Sequence, residues 1–465
     1  MPMKYADQVS LGQAMFGHAE LGDVRRTERL VTTFDRFRRH PGGTLPDKLS
    51  SPADLKALYR LCASEAVTHA ALVAAMRVYT LARIALHEGP VLVLHDATEL
   101  DYSTLGTLAD QLGQIGEGRG RGYICQNVLA VDANTGEVLG LLDQILHCRD
   151  EVPEDETLTE HRNRETRESL LWVKGAAQLP GDWQLIDVAD QGASTFEFLE
   201  DEVHSGRRFV IRNGKPRKCF AGHEPTDDKL DLHTHVESLP ELGRFTMPVQ
   251  AQKGRAARQA AEFIVRGGPI LLLPPHAKHG HHGNDPLPMY VVSVTEVQPP
   301  QGQKRIEWML LTNEPVQTLD DAWRVTTWYE RRWIIEEYHK GMKTGCGIED
   351  LQFTAVERLE PAIALLSALT LTLLNLRDVS RRPDAHTRSA TTVFAREYVE
   401  MLSIWRYGKS RQLTIHEFCL ALGRLGGHQN RKHDHAPGWL ILWRGWTKLQ
   451  LLVDGYLAAQ PKNCG

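Results

Sequence analysis

Residues 328–347 read WYERRWIIEEYHKGMKTGCG. On a helix turning about 100° per residue, with Tyr329 at zero, Arg332 falls at about −60°, Lys343 at about −40°, Glu336 at about −20° and Lys340 at about +20°. Ile334, Tyr338, Met342 and Ile335 fall on the far side, between about 140° and 240°. The spacing predicts one amphipathic helix whose front carries a carboxylate, cations and a phenol. Glu337 lies about 80° round from that front, which makes Glu336 the working acid. Any solvated helix also gathers charge on one face, and this segment alone leaves both readings open. A carboxylate with cations one and two turns away suits a metal ion held beside phosphate oxygens.

On the amino-terminal side, two apolar runs deliver further acids. PVLVLHD, 90–96, reads as a buried strand ending at Asp96, and WQLIDVAD, 183–190, as another ending at Asp190. Between them, apolar runs within 123–146 flank Asn134-Thr135-Gly136, a hairpin signal. Residues 150–168 are acidic and arginine-rich, a polar loop leading into a helical pattern that resumes at Leu170. QGASTFEFLEDEV then starts a helix, and RRFVIR, 207–212, reads as a strand. This order, with acids at strand ends, describes an α/β sheet and fits the ribonuclease-H-like fold. From 213 to 318, strand-like pieces such as PILLLP, MYVVSVTEV and IEWMLLT alternate with turns, which predicts an inserted antiparallel β subdomain.

Both ends of the chain read as helical. LGDVRRTERLVTTFDRFRRH carries Arg25, Arg26, Arg29, Arg36, Arg38 and Arg39, which suit either a solvated surface or DNA phosphates. Pro41, Gly42 and Gly43 break the pattern before ADLKALYRL resumes it. Residues 356–378 read as an apolar core helix, and 391–465 as further helices whose Trp405, Tyr407, Phe418, Trp439, Trp443 and Trp446 suit a core or a partner surface. The predicted divisions are a helical region 1–70, an α/β region 71–375 with 213–318 inserted, and a helical region 376–465.

The 465 residues allow a large core, and 42% hydrophobic with 24% charged residues is ordinary for a soluble globular protein. A formal net charge of −5 argues against a histone-like coating of DNA, not against local basic patches. Seven scattered cysteines without a C-x-x-C pair predict reduced thiols and no zinc module. The opening MPMKYADQVS is polar, and the run Ala362–Leu376 is too short and too interrupted to span a membrane, which predicts a cytoplasmic protein. HAKHGHHGND, 276–285, holds four histidines without spaced partner ligands and reads as a polar loop more readily than as a metal site.

Asp96, Asp190 and Glu336 are the set that metal-assisted phosphoryl transfer needs: hard oxygen donors for Mg²⁺, from two strand ends and a helix beside the sheet. The chain resembles the bacterial cut-and-paste DDE transposases of the insertion-sequence-four family, transposon-five type. The likeness rests on Tyr329-x2-Arg332-x3-Glu336-x6-Lys343, the Tyr-Arg-Glu-Lys pattern of that family. It extends to LGDVRRTERL near the start, ALYRL at 57–61, VADQGASTFEFL, RRFVIRNGKPRK at 207–218, WMLLTNEPV at 308–316, GRLGG at 423–427 and LWRGWTKLQ, so it covers essentially the whole chain. The histidine loop and RGRGYIC near Gly118–Gly122 depart from the family pattern.

The resemblance implies a metal triad of Asp96, Asp190 and Glu336 taking Mg²⁺, with Mn²⁺ as a substitute. It implies that Tyr329, Arg332 and Lys343, with Lys340 beside them, grip DNA phosphate near the cut end. Trp308 falls on the position that holds a base flipped out beside a DNA hairpin, and Trp333 on a second aromatic there. Read without the family, Trp308 is a core tryptophan. Arg212 and Lys218 match basic residues beside the catalytic centre, and Arg25, Arg26 and Arg29 match the region that reads the transposon end. The carboxy-terminal helices match the part through which two subunits pair. The expectation is a homodimeric transposase acting on double-stranded terminal repeats and target DNA, in the cytoplasm, without a membrane. A non-catalytic DNA-binding relative and a nuclease without strand transfer are the alternatives.

Overall fold

Polar caps and apolar stripes set out the amino-terminal helices in the computed structural model, which describes residues 10–150, 155–181, 184–249, 256–275, 282–431 and 434–459. α1 (Leu11–Phe16) starts where the Ser10 hydroxyl accepts the Gln13 N–H, and α2 (Val24–Arg39) where the Asp23 carboxylate accepts the Arg25 N–H. The inner stripe of α2 is Leu30, Thr33, Phe34, Phe37 and Arg38. Arg38 is therefore not on the arginine surface; it is buried and pairs with Asp35 at 3.4 Å. The chain turns after α2 at Pro41–Gly43, as expected, and α3 (Leu45–Leu49) and α4 (Pro52–Cys62) follow, each with proline in its first turn. α5 (His69–Ala85), capped by Thr68, leads into the sheet.

β1 (Val91–Asp101) is followed by β2 (Gly113–Ile115), then by β3 (Gly120–Asp132) and β4 (Val138–His147), which form the predicted hairpin. α6 (Leu158–Asn163) and α7 (Leu171–Ala177) precede β5 (Leu185–Ala189), and α8 (Phe196–His204) precedes β6 (Arg208–Arg212). β3 is antiparallel to β1 and to β4, while β5 and β6 run parallel to β1, so this part of the mixed sheet is ordered β4-β3-β1-β5-β6. β1 outruns its expected end. Its parallel pairing stops at His95↔Ala189, but its pairing with β3 continues to Asp101↔Gly122. Asp96 therefore sits inside its strand rather than at its end, where the neighbouring β5 runs out.

The insertion contributes β7 (Lys218–Ala221), β8 (Leu230–Asp231), α9 (Leu232–Ser238), β9 (Glu241–Val249), β10 (Arg258–Leu272), β11 (Leu287–Glu296) and β12 (Glu307–Thr312). Its strands pair antiparallel, as predicted. They do not stand apart from the first sheet. β12 pairs with β6, and the ladder continues β6-β12-β11-β10-β7-β8 into one 12-stranded sheet.

The single helix expected over 328–347 is interrupted twice. α10 (Leu319–Glu330) ends at Glu330, α11 (Trp333–Lys340) carries Glu336, and Gly341–Gly345 form a π turn. At the first interruption the backbone stays helical but tightens. Arg331 and Arg332 donate to the carbonyls of Trp328 and Tyr329, three residues back, at 3.2 and 3.0 Å. At the second, the Cys346 N–H reaches five residues back to Gly341 at 2.9 Å. Close packing explains the glycines there: a Cβ on Gly341 would meet Thr370 at 2.7 Å, and one on Gly345 would meet Leu373 at 2.7 Å. The apolar back of the segment is as predicted, with Ile334, Ile335, Tyr338 and Met342 buried.

Thr370 and Leu373 belong to α12 (Val356–Arg381), the helix around which the molecule's largest apolar cluster packs. Among the described residues it alone is long and apolar enough to cross a membrane, and 89% of its apolar window is buried by the fold. α13 (Arg396–Tyr407), α14 (Ile415–Leu425) and α15 (Trp439–Ala459) complete the chain. Phe418, Trp439, Trp443 and Trp446 are buried here, whereas Trp405 and Tyr407 are 41% and 40% exposed. The six described cysteines are free thiols. Cys464, residues 1–9 of the polar opening, 151–154 of the acidic loop and 276–281 of the histidine run lie outside the described residues.

Candidate active site

Alternation along the strands decides which acids share a face. Val91, Val93 and His95 of β1 stand opposite Leu185, Asp187 and Ala189 of β5, so Asp96 and Asp190 both fall on the other face of the sheet. Asp190 follows β5 directly and caps a short turn, its Oδ1 accepting the Gly192 N–H at 2.7 Å. Glu336 comes from the first turn of α11, which packs against β1 on that face.

Arg332 lies between two of the acids. Its Nη1 is 3.3 Å from Asp96 Oδ2, and its Nη2 donates to Glu336 Oε1 at 2.6 Å. Asp96 Oδ1 accepts the Ala97 N–H at 2.9 Å. Burial pushes the Asp96 carboxyl up to about 7, the Arg332 guanidinium opposes that shift, and the nearby charges of Asp190 and Glu336 reinforce it. The three acids are thus electrostatic neighbours. Among the described residues, no group of three or more His, Cys, Asp or Glu side chains closes into a ready-made metal cage.

The remaining predicted residues divide by their surroundings. Tyr329 lies in the last turn of α10 and is buried, its ring edge-on to Trp308 at 5.4 Å between centroids. Burial raises its phenol above the ordinary range, against the pull of Arg332 and Arg212. Arg212 is held by the Glu307 carbonyl at 3.1 Å. Trp308 is half-buried in the core, and Trp333 is 49% exposed with the Arg332 guanidinium 5.2 Å from its ring. Lys340 is exposed, while Lys343, carried round by the π turn, pairs with Glu349 at 3.1 Å. On α2, Arg25 is exposed and pairs with Asp23 at 2.7 Å, Arg29 lies 3.4 Å from Asp54, and Arg26 donates to the Leu21 carbonyl at 2.8 Å.

A cleft of about 1390 Å³ opens beside this cluster. Arg332, Trp333, Glu336 and Lys340 line one part of it and Trp308 another. The basic run RNGKPRK contributes Arg212, Lys215 and Arg217 to the wall. Lys218, singled out from that run in the sequence, instead sits on β7 near Asp231 at 3.9 Å. Lys215 and Arg217, which the sequence reading did not single out, reach the cleft from the loop between β6 and β7. Arg217 is 8% exposed, donates to the Ser194 carbonyl and leaves its buried Nε without a partner. Lys304 and Arg305 add two further cations that no sequence pattern marked.

Residues 11–67 match the model of a family described as transposase DNA-binding. The matched segment comprises α1 to α4 and carries the exposed Arg25 and Arg29. The amino-terminal helices are thus similar to a transposase DNA-binding region, which supports a DNA-binding transposase.

Proposed function

We propose that the protein is a metal-dependent DDE transposase of the insertion-sequence-four, transposon-five type, which cuts and joins DNA at terminal inverted repeats. The observation that carries this reading is that Asp96 and Glu336 share Arg332 while the charge of Asp190 acts on Asp96 from the same face of the sheet, in a chain whose first helices match a transposase DNA-binding family. The strand order β4-β3-β1-β5-β6 supports a ribonuclease-H-like core, with the first acid on its first strand, the second after its fourth and the third on a helix.

The donor set fits a hard divalent ion: three carboxylates whose charges reach one another, with a guanidinium supplying positive charge between two of them. Asp96, Asp190 and Glu336 would hold Mg²⁺ or Mn²⁺. When bound, the ion supplies activation of the attacking oxygen and stabilisation of the leaving oxygen in phosphoryl transfer. The chain's own residues do the rest. Arg332 and the cleft cations Arg212, Lys215, Arg217 and Lys340 neutralise backbone phosphate, with Lys343 one turn further along the same segment. Trp308 and Trp333 offer ring faces to a base extruded beside a hairpin end, with stacking worth about 1–3 kcal/mol per base. Arg25, Arg26 and Arg29 contact the terminal repeat. A homodimer, paired through the carboxy-terminal helices, would hold two ends at once, each subunit cutting the end bound mainly by its partner.

Glu336→Ala is expected to abolish Mg²⁺-dependent nicking of end-containing duplex while leaving end binding within about twofold of wild type. Nicking, hairpin and strand-transfer products resolved on a denaturing gel test this. Full cleavage by the variant would refute the assignment.

A further inference from the structure

We propose that Asn127 and His339 are positioning residues that set Glu336 against Asp96. This rests on the transposase reading for its chemistry, but its geometry stands independently. α11 is eight residues long, entered through a tightened turn and left through a π turn. Neither end continues as regular helix, so the direction in which Glu336 points needs a tie from elsewhere. Asn127 supplies one. It lies on β3 directly opposite Asp96 in the β1–β3 register, with its side chain on the same face. Its Nδ2 donates to His339 Nε2 at 3.1 Å, and His339 is one helical turn beyond Glu336.

The orientation of the Asn127 amide is itself fixed. Its Oδ1 accepts from Gln144 Nε2 at 2.7 Å, which leaves Nδ2 to face His339. Gln144 Nε2 also donates to Ser367 Oγ of α12 at 2.9 Å, and Gln144 Oε1 meets His69 Nε2 of α5 at 3.0 Å. All five side chains are buried. His339 must accept through a bare Nε2, and burial with the Lys343 and Arg332 cations keeps the imidazole neutral by lowering it to about 3. An apolar core would fill this space at less desolvation cost. A satisfied polar chain adds direction, and it passes through the strand beside one acid and ends on the helix bearing another.

The test compares full-length wild type with His339→Phe, His339→Gln and Asn127→Leu. Phenylalanine keeps the ring volume without an acceptor, glutamine restores an acceptor, and Asn127→Leu removes the same bond from the strand side. Mn²⁺ binding is read by electron paramagnetic resonance with end DNA present, alongside end affinity and the Mg²⁺ concentration for half-maximal nicking. His339→Phe and Asn127→Leu are expected to weaken Mn²⁺ binding and raise the Mg²⁺ requirement by about tenfold or more, with end affinity within about twofold. His339→Gln is expected to stay within about threefold of wild type, and the double variant to be no worse than either single one. Should one single variant fail to fold, the other decides. Unchanged Mn²⁺ affinity in the folded variants, or equal damage from His339→Gln and His339→Phe, overturns the proposal. If wild type binds Mn²⁺ but does not nick, the transposase reading falls while the Mn²⁺ comparison still judges the positioning role. If wild type binds no Mn²⁺, both fall.

Discussion

Arg332 shows how little a helical wheel says about a side chain's company. The wheel placed it beside Glu336, and it is there at 2.6 Å, but its second partner, Asp96, is 236 residues away in sequence. The two tryptophans behave similarly: both were marked by likeness to a family, and their surroundings differ. Trp333 is 49% exposed, whereas Trp308 packs into the core against Tyr329. Trp333→Ala should therefore leave stability within about 0.5 kcal/mol of wild type, while Trp308→Ala should cost about 2–4 kcal/mol. Urea unfolding of both variants measures the difference. Any loss of hairpin product from Trp333→Ala then reports on DNA rather than on folding.

At the scale of elements, the strands that carry the aspartates are pinned from behind. On the face away from Asp96 and Asp190, His95 Nε2 meets Asp187 Oδ1 at 2.5 Å, and Arg207 donates to Asp187 Oδ2 at 2.9 and 2.5 Å. Asp187, His95 and the adjoining Glu202 are fully buried. Burial and the neighbouring Asp187 raise the Glu202 carboxyl well above its ordinary range. Asp187→Ala would leave the Arg207 charge with only the more distant Glu202, at 3.7 Å, and is expected to lose about 3–5 kcal/mol in a denaturant melt, more than any surface pair here. The sequence could not announce this cluster, because a buried strand and a buried ion pair look alike until the facing strand is known. The apolar runs, the hairpin around Asn134–Gly136 and the break after α2 were legible, since each depends on local periodicity or turn chemistry. The extension of β1 past Asp96 was not. Residues 97–101 stay in the sheet because β3 offers a partner, which is a tertiary cause. Nor was the interruption at Arg331–Arg332, where neither glycine nor proline marks the change in turn.

Across the whole molecule, the polar chain from His69 to His339 ties α5, β4, β3 and α11 together, and it makes the fold sensitive to acid. Burial lowers His69 to about 4, and burial with two nearby cations lowers His339 to about 3. The unfolded chain takes up these protons near the ordinary histidine value of about 6.5 and the native protein does not. Their contribution is thus present above about 6.5 and is lost as pH falls toward 4 and then 3. For His69 the loss should reach on the order of 3 kcal/mol by pH 4. Urea midpoints at pH 7 and pH 4.5 should fall less in His69→Gln than in wild type. Asp96, Asp190 and Glu336 were legible in the sequence as a candidate set, from residue types and a family's spacing. The polar chain beside it was not, because Asn127, Gln144 and His69 lie far apart in sequence and no local pattern pairs them.

The continuous ladder from β5 through β6 to β12 turns the sheet into a ruler. Asp190 after β5 is level with Leu310 of β12 across two strand spacings, about 10 Å, and Trp308 lies two residues further along that strand, in a ladder set by backbone hydrogen bonds rather than by a linker. A hinge between insertion and core would let the protein adjust its grip to whatever end it met. A ruler does not adjust, so the work of fitting falls on the nucleic acid. On the proposed function, ends that unstack and bend at little cost are then expected to be favoured over stiff ones, even at positions that no side chain reads.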